Sequence, residues 1–559
     1  MHQIRIASFL ILVIAACRQA PPAAAPAVAV VPAAAVPAPA PAEKAPEPKA
    51  LDHVTLIFSA SVAGQLVPCG CSPDQRGGLP RAVALVEKLR AQDPSLLFVD
   101  AGDLLFESPA APPKQLLTQR RMKAQVLAQG DALLHAAARA VGQRDLALGP
   151  SFLVDTAQGV PLLDAGLLPA PGVRATLLAD AGGIKVGLFA AGFEPDPARV
   201  IAARAKGLRE EGARIVVLLL HPRGDNTFTA AQALLPAAQA AGVDFVVLGR
   251  LDDPATDPNR KDAGPPPLLA VEGHGQSLLR LDVHLGKGPL QLAPGPDDRA
   301  EELKAIEVRI DRFKAQLETS PQRKAQLEAK IKELQDRKAA LASAPLPERA
   351  PGASWAQATF LPLTEKVGSD ASAKALVDAY DARVAELNLA EAKTQPEKCP
   401  LPARGEAAYV GANACVECHR SESEFWTQTR HAHAYETLVA VKKQFSLDCI
   451  HCHVTGWQQA GGVCRIDRTE FGGKGLDGRG LGRRDVQCEA CHGPGSEHVK
   501  DPPGHIRAQV SATMCMRCHE PANSPKFNDA KYRPFIVGPG HGEPLARGQK
   551  PKPREGYPE

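Results

Sequence analysis

Four short stretches decide how the C-terminal part of the chain must fold: Cys415-Val-Glu-Cys418-His419, Cys449-Ile-His-Cys452-His453, Cys488-Glu-Ala-Cys491-His492 and Cys515-Met-Arg-Cys518-His519. Each is a C-x-x-C-H motif, in which two thiols form thioethers to the vinyl groups of one haem and the adjacent histidine lies under its iron as proximal ligand. Roughly 0.01 such matches are expected by chance at this composition, so four of them predict four covalently bound haem c groups. Zinc ribbons use similar cysteine pairs but have no need of a histidine directly after every pair. The four motifs fall between Cys415 and His519, too few residues to give each porphyrin a protein core of its own. The haems must therefore pack against one another.

Ten histidines occur from residue 399 onward, and removing the four proximal ones leaves His431, His433, His451, His498, His505 and His541. Met514 and Met516 flank Cys515 and cannot reach over the same haem, so sixth ligands are expected from histidine. His451 is trapped inside its own motif. The segment Tyr409 to His541 resembles the tetrahaem cytochrome c-554 family through Gly411-Ala-Asn-Ala-Cys415-Val-Glu-Cys418-His419, Trp426 with His431-Ala-His433-Ala, and Gln487-Cys-Glu-Ala-Cys491-His492-Gly-Pro-Gly-Ser-Glu-His498. By position in that family's pattern His431, His498 and His541 are the leading distal candidates, with His433 and His505 in reserve. The resemblance also implies that one haem can lack a protein sixth ligand. Cys399 and Cys464 are left over and are candidates for a disulfide. The run Phe471–Gly480 lacks the ending and the preceding strand of a phosphate loop and reads as a flexible connection.

Upstream, apolar positions at Leu303, Ile306, Ile310, Phe313 and Leu317, then at Leu327, Ile331, Leu334 and Leu341, fall at helical spacing around Thr319-Ser320-Pro321. They predict an antiparallel helical hairpin, a spacer whose alternative use is a dimer contact. A further helix is expected over Ser372–Ala392. Between residues 51 and 297, strand-like runs at Val54–Phe58, Leu96–Val99, Ile184–Ala190, Ile215–Leu220 and Phe245–Leu248 alternate with helix-like stretches at Leu79–Ala91, Gln125–Ala140 and Ala230–Ala241, an α/β pattern.

This region resembles the 5′-nucleotidase branch of the metallophosphatase superfamily at Gly64-Gln65-Leu66, Gly77-Gly78-Leu79, Ala101-Gly102-Asp103, Asp145 to Gly149, Leu220-His221 and Val243-Asp244 leading to Gly249. The family's two-metal cage is largely missing. Ser61 and Ala63 stand where it has Asp-x-His, Gly149-Pro150-Ser151 replaces Gly-Asn-His, and Gly249-Arg250-Leu251-Asp252 replaces Gly-His-x-His. Only Asp103 and His221 match ligand positions, so no dinuclear metal is expected in residues 51–297. Cys69 and Cys71, in the loop after the first strand, are a candidate redox pair, soft-metal site or ordinary oxidised turn.

The chain opens with a basic start and a short apolar run ending Ile14-Ala15-Ala16-Cys17, too short for a membrane span and similar to a bacterial lipobox with Cys17 as the lipidated residue. Residues 18–50, with 14 Ala and 9 Pro, cannot bury a core and form a tether. Arg18 after that cysteine resembles the outer-membrane sorting pattern. A net charge of +3 and 4% aromatic residues argue against a nucleic-acid binder of the basic-patch type.

The expected organisation is therefore multidomain: signal peptide 1–17, linker 18–50, degenerate α/β metallophosphatase-like sandwich 51–297, helical hairpin spacer 298–395, mainly α tetrahaem cytochrome c domain 396–545 and disordered tail 546–559. The expected function is electron transfer by a lipid-anchored cytochrome on the periplasmic side of the envelope, at the outer membrane. Redox proteins or quinol-linked donors are its expected partners. The alternatives are an oxidoreductase acting on a small nitrogen or sulfur compound at an open haem, and a metal-dependent phosphohydrolase. No catalytic residue is assigned.

Overall fold

The computed structural model describes residues 53–556, apart from 69–74, 169–170, 252–258, 294–298, scattered positions in 301–323, 344–351, 397–398, 470–481, 503, 520–523 and 525–526. Cys17, the 18–50 linker, Cys69, Cys71, Asp252 and the 471–480 connection lie outside the described residues.

Two sheets form the α/β body. The first has the order β13-β14-β12-β1-β2-β3-β4-β5, from β1 (His53–Ser59), β2 (Leu97–Asp100), β3 (Ala136–Val141), β4 (Leu162–Asp164), β5 (Val173–Arg174), β12 (Ser277–His284), β13 (Lys287–Leu292) and β14 (Ala353–Pro362). The second has the order β10-β11-β9-β8-β7-β6, from β6 (Thr176–Ala181), β7 (Ile184–Ala191), β8 (Ile215–Leu220), β9 (Phe245–Leu248), β10 (Arg260–Asp262) and β11 (Leu268–Ala270). Strands β1 to β5 are parallel neighbours, as are β7, β8, β9 and β11. Parallel strands covered on both faces read as unbroken apolar runs, which is why Ile215–Leu220 is Ile-Val-Val-Leu-Leu-Leu with every residue buried.

Inner-face residues Leu56, Phe58 and Val99 of the first sheet meet Val186, Val217 and Phe245 of the second. The outer face of the first sheet is covered by α1 (Leu79–Gln92), α2 (Leu117–Leu133) and α3 (Gly149–Thr156). The outer face of the second carries α4 (Pro197–Glu210), α5 (Thr227–Gln232) and α6 (Leu235–Ala240). The result is a four-layer α/β/β/α sandwich.

Three stretches differ from the sequence expectation. The helix expected to run to Ala140 stops at Leu133, His135 takes a left-handed φ of 51°, and Ala136–Val141 becomes a strand paired with β2 and β4. Alanine-rich sequence favours helix locally, but the two neighbouring strands supply the hydrogen bonds and decide the outcome. Residues 298–395 are not wholly a helical spacer, since β14 returns to the first sheet and pairs antiparallel with β12 from Ser277–Pro362 to His284–Trp355. The hairpin is thus an insertion between β13 and β14. In it Ile306 and Ile310 pack on Ile331 and Leu334 of α7 (Lys324–Ser343), so the two apolar seams cover each other. Finally, the tail expected to be disordered is seated on the haem-motif region: Pro551 is buried, and its carbonyl accepts from Gln428 Nε2 at 2.9 Å.

α8 (Ala371–Ala392) joins the two halves of the molecule. Asp370 caps it by accepting from Ala373 N at 2.8 Å. Ala373, Val377, Tyr380 and Val384 pack into the core with α1 and α2, while Ala392 at its other end joins Tyr435, Ile450, Val454, Val463 and Ile466 in the small core of the C-terminal module. No helix among the described residues is long and apolar enough to cross a membrane.

Candidate functional site

In the C-terminal module each motif begins a short helix or lies at its end: Asn413–Val416, Leu447–His453, Cys488–His492 and Ala512–Cys515. The segment Gln487-Cys-Glu489 ties them together. The Glu489 carboxylate, 1% exposed, accepts from Val410 N at 2.9 Å, Gly411 N at 2.6 Å and Gly495 N at 2.8 Å. The Gln487 side-chain oxygen accepts from Ala412 N at 2.9 Å. One side chain that accepts from three backbone donors on two segments ties those segments together, so the first motif is locked to the third. Trp426 Nε1 donates to the Val486 carbonyl at 2.8 Å and Asp485 accepts from Tyr435 N at 2.7 Å, drawing the segment that bears His431 to the same place. Cys415 and Cys488 lie within hydrogen-bond reach of each other. Cys399 and Cys464 form a disulfide with Cα atoms 5.1 Å apart, and the eight motif cysteines take no part in it.

The histidines fall into pairs. His419 faces His498 with ring centroids 6.2 Å apart, His492 faces His541 at 6.2 Å, and His519 faces His431 at 6.1 Å. Two imidazoles bound to opposite sides of one iron through bonds of about 2.0 Å have centroids roughly 6 Å apart, so the three gaps fit a bis-histidine haem iron. The Nδ1 atoms are occupied from behind: His492 by the Arg507 carbonyl at 2.6 Å, His498 by the Gly504 carbonyl at 2.9 Å, and His541 by the Ile536 carbonyl. A bond at Nδ1 fixes the ring and leaves Nε2 for a metal. Burial, with the neighbouring His519 and His453, lowers the His431 pKa to about 4, so its ring is neutral and ready to ligate.

His453 is different. Its Nδ1 is held by the Ala434 carbonyl at 2.5 Å, yet among the described residues no histidine ring faces it as in the other three pairs. His433 is exposed and its ring contacts Glu436 and the Thr427 carbonyl, while His505 is exposed beside Asp501. Neither is placed opposite a motif histidine.

Residues 414–493 match the family of cytochrome c554 and c-prime. Cytochrome c-554 of Nitrosomonas europaea is 33% identical over 105 residues, which is 16% of this chain and 40% of that protein, so the chain spans less than half of its relative's length. Among solved structures, the chain is similar to a 5′-nucleotidase precursor from Thermus thermophilus (16% identity, TM-score 0.39, 74% of this chain and 72% of that one). It is also similar to the calcineurin-like phosphoesterase YfkN from Bacillus subtilis (13% identity, TM-score 0.36, 59% and 97%).

The positions singled out in the α/β body follow the carboxyl ends of its strands: Ser61 and Ala63 after β1, Asp103 after β2, His221 after β8 and Gly249 after β9. Ser61, Ala63, Asp103 and His274 all take left-handed φ values between 49° and 57°, strain of the kind that collects at functional loops. Asp145 accepts from Asp103 N, Leu105 N and Gly142 N, each at 2.9 Å, and burial together with the Asp103 charge raises its pKa to about 6. Arg144 donates from its backbone to Asp103 Oδ1 at 2.8 Å, its Nε lies 4.0 Å from Oδ2, and its Nη1 reaches Ser61 Oγ at 3.3 Å. A guanidinium therefore stands beside the one carboxylate that matches a ligand position.

His221 Nε2 is bonded to the Ala101 carbonyl at 2.6 Å. A Cβ at Gly249 would come within 2.1 Å of this nitrogen and one at Gly102 within 2.7 Å, so glycine at both positions lets the loops close on the ring. Pro150 and Ser151 are exposed in the first turn of α3, where proline is well tolerated. Among the described residues no three His, Cys, Asp or Glu side chains converge on a common point. These residues do not fit a two-metal cage. The Arg144–Asp103 contact and the organising role of Asp145 were not legible from motif matching, although both lie in the quoted Asp145–Gly149 stretch or next to it.

Proposed function

We propose that this chain is an exported, lipid-anchored tetrahaem c-type cytochrome that transfers electrons, and that its α/β body no longer hydrolyses phosphoesters. The three histidine pairs carry the reading, because each couples the histidine of a C-x-x-C-H motif to a second ring at the spacing an iron requires. The haem supplies one-electron chemistry. The chain's part is attachment through Cys415, Cys418, Cys449, Cys452, Cys488, Cys491, Cys515 and Cys518, axial ligation, and close packing. Four attachment sites in so short a span bring the haems edge to edge, and bis-histidine ligation favours low potentials. Anchoring through Cys17 on the 18–50 tether places the module at the periplasmic side of the outer membrane, within reach of redox proteins or quinol-linked donors.

A second reading is favoured by His453 alone. A haem there with an open sixth position would let a small nitrogen or sulfur compound reach the iron. One experiment separates the two: a pyridine haemochrome assay with low-temperature EPR on mature protein made with haem-maturation machinery. Four haems, all low-spin, favour the electron carrier. A high-spin signal that shifts on adding nitric oxide or hydroxylamine favours the oxidoreductase, and fewer than four haems refutes both.

A further inference from the structure

The second motif differs from the others in where it sits, because its helix Leu447–His453 is docked on the α/β body. Asp448, the residue before Cys449, is held by Lys123 Nζ at 2.6 Å and Arg120 Nη2 at 3.1 Å, both from α2. Against the upward push of burial, those two charges hold the Asp448 carboxyl below the usual range, so it is ionised. Around it the backbone is pinned: Asn388 of α8 donates to the Phe445 carbonyl at 2.7 Å, and Gln119 accepts from Leu447 N at 3.2 Å. Lys443 pairs with Asp381 at 3.4 Å on the rim, and the buried Tyr380 hydroxyl faces the same group of charges. Arg120 in turn is paired with Glu107, which follows the Leu104–Phe106 stretch leading out of the cleft.

We propose that Lys123, Arg120 and Asp448 tune the potential of the haem carried by Cys449 and Cys452, so that the α/β body is a working part of that haem's surroundings. The inference rests on the haem reading above and concerns positioning residues, none of which ligates the iron. Oxidised haem carries one more positive charge than reduced haem, so an uncompensated carboxylate nearby favours the oxidised form and a bare ammonium the reduced form. In this pocket the carboxylate of Asp448 is offset by Lys123 and Arg120, and Arg120 by Glu107. Breaking the set at different members must therefore move the potential in opposite directions, which a loss of packing would not do.

The test is a spectropotentiometric titration with EPR of the full-length holoprotein and of Lys123→Met, Asp448→Asn and Glu107→Gln. Lys123→Met is expected to lower the midpoint of one haem, Asp448→Asn to raise the midpoint of that same haem, and Glu107→Gln to raise it by less, while the other three stay fixed. Lys123→Arg should restore the wild-type value. Midpoints that do not move, that move in the same direction in all variants, or that move for all four haems overturn the inference. If Lys123→Met fails to take up haem, Arg120→Met, which removes the other cation on Asp448 and is expected to lower the same midpoint, takes its place against Asp448→Asn. Absence of four haems in the wild-type protein would instead overturn the reading beneath, and the haemochrome assay reports that separately.

Discussion

In the α/β body Phe58, Phe98, Phe189 and Phe245 are wholly buried between continuous layers, whereas the largest apolar cluster of the C-terminal module has six buried members around Ile450. At about 1.5–3 kcal/mol for each large apolar side chain, the first region holds itself together by burial and the second does not. The module relies instead on Glu489, a disulfide, α8 and the haems its motifs are built to bind. The difference teaches where function is written. A body held by its core tolerates changes in its loops, whereas a module with so small a core depends on its local ties, Glu489 and the Cys399–Cys464 bridge among them.

The harshest way to break that contrast is to remove one haem. Cys488→Ser with Cys491→Ser takes away a pair of thioethers beside Cys415, at the segment where Glu489 locks the first motif to the third. The expected outcome is a haem content falling from four to three or fewer, with loss of hydrogen-exchange protection throughout residues 409–541. The strands Ile184–Ala191 and Ile215–Leu220 should keep theirs. Equal loss in those strands would mean that the α/β body depends on the module as much as the reverse.

A smaller effect is expected from the Cys399–Cys464 bridge. It closes a loop of 65 residues in sequence separation that contains the first two motifs. The chain-entropy account gives about 4 kcal/mol for such a loop, an upper bound where thioethers already restrain the unfolded chain. Replacing both cysteines by alanine should lower the urea midpoint followed at the haem Soret band and leave the α/β strands unaffected. A change below about 1 kcal/mol would show that the haems alone constrain the segment.

These regions also differ in how far their sequences can be read. The attachment motifs are local, five residues each, so spacing suffices to find them. Long apolar strands such as Ile215–Leu220 are equally plain. The distal histidines were a choice among six, because the ring that meets His419 comes from the short helix Ser496–Lys500, 79 residues away in sequence, and only folding brings it there. Ala136–Val141 and Ala353–Pro362 lack a decisive local pattern and become strands because sheet neighbours complete them. The docking of Asp448 on Lys123 joins residues more than 300 positions apart and leaves no periodic trace in either segment.

The smallest effect belongs to the cleft itself, where the loops have closed around His221. Burial lowers its pKa to about 4, although the Ala101 carbonyl and the Asp145 charge both push it upward. A histidine depressed from 6.5 contributes stability that is complete above pH 6.5 and is lost as pH falls toward 4, because the unfolded chain takes up a proton that the native ring refuses. The size is on the order of 3 kcal/mol across that window. Asp145 runs the other way: raised to about 6, it adds stability as pH falls through that value, so the wild-type profile alone mixes the two. His221→Gln separates them, since glutamine can still donate to Ala101 but cannot titrate. Hydrogen exchange of the Ile215–Leu220 amides, corrected for intrinsic rate, should show wild type losing protection relative to the variant between about pH 6.5 and 4.5. If the two profiles run parallel, the ring is reached by solvent or protonated in the native state, and the cleft is more open than Gly102 and Gly249 make it.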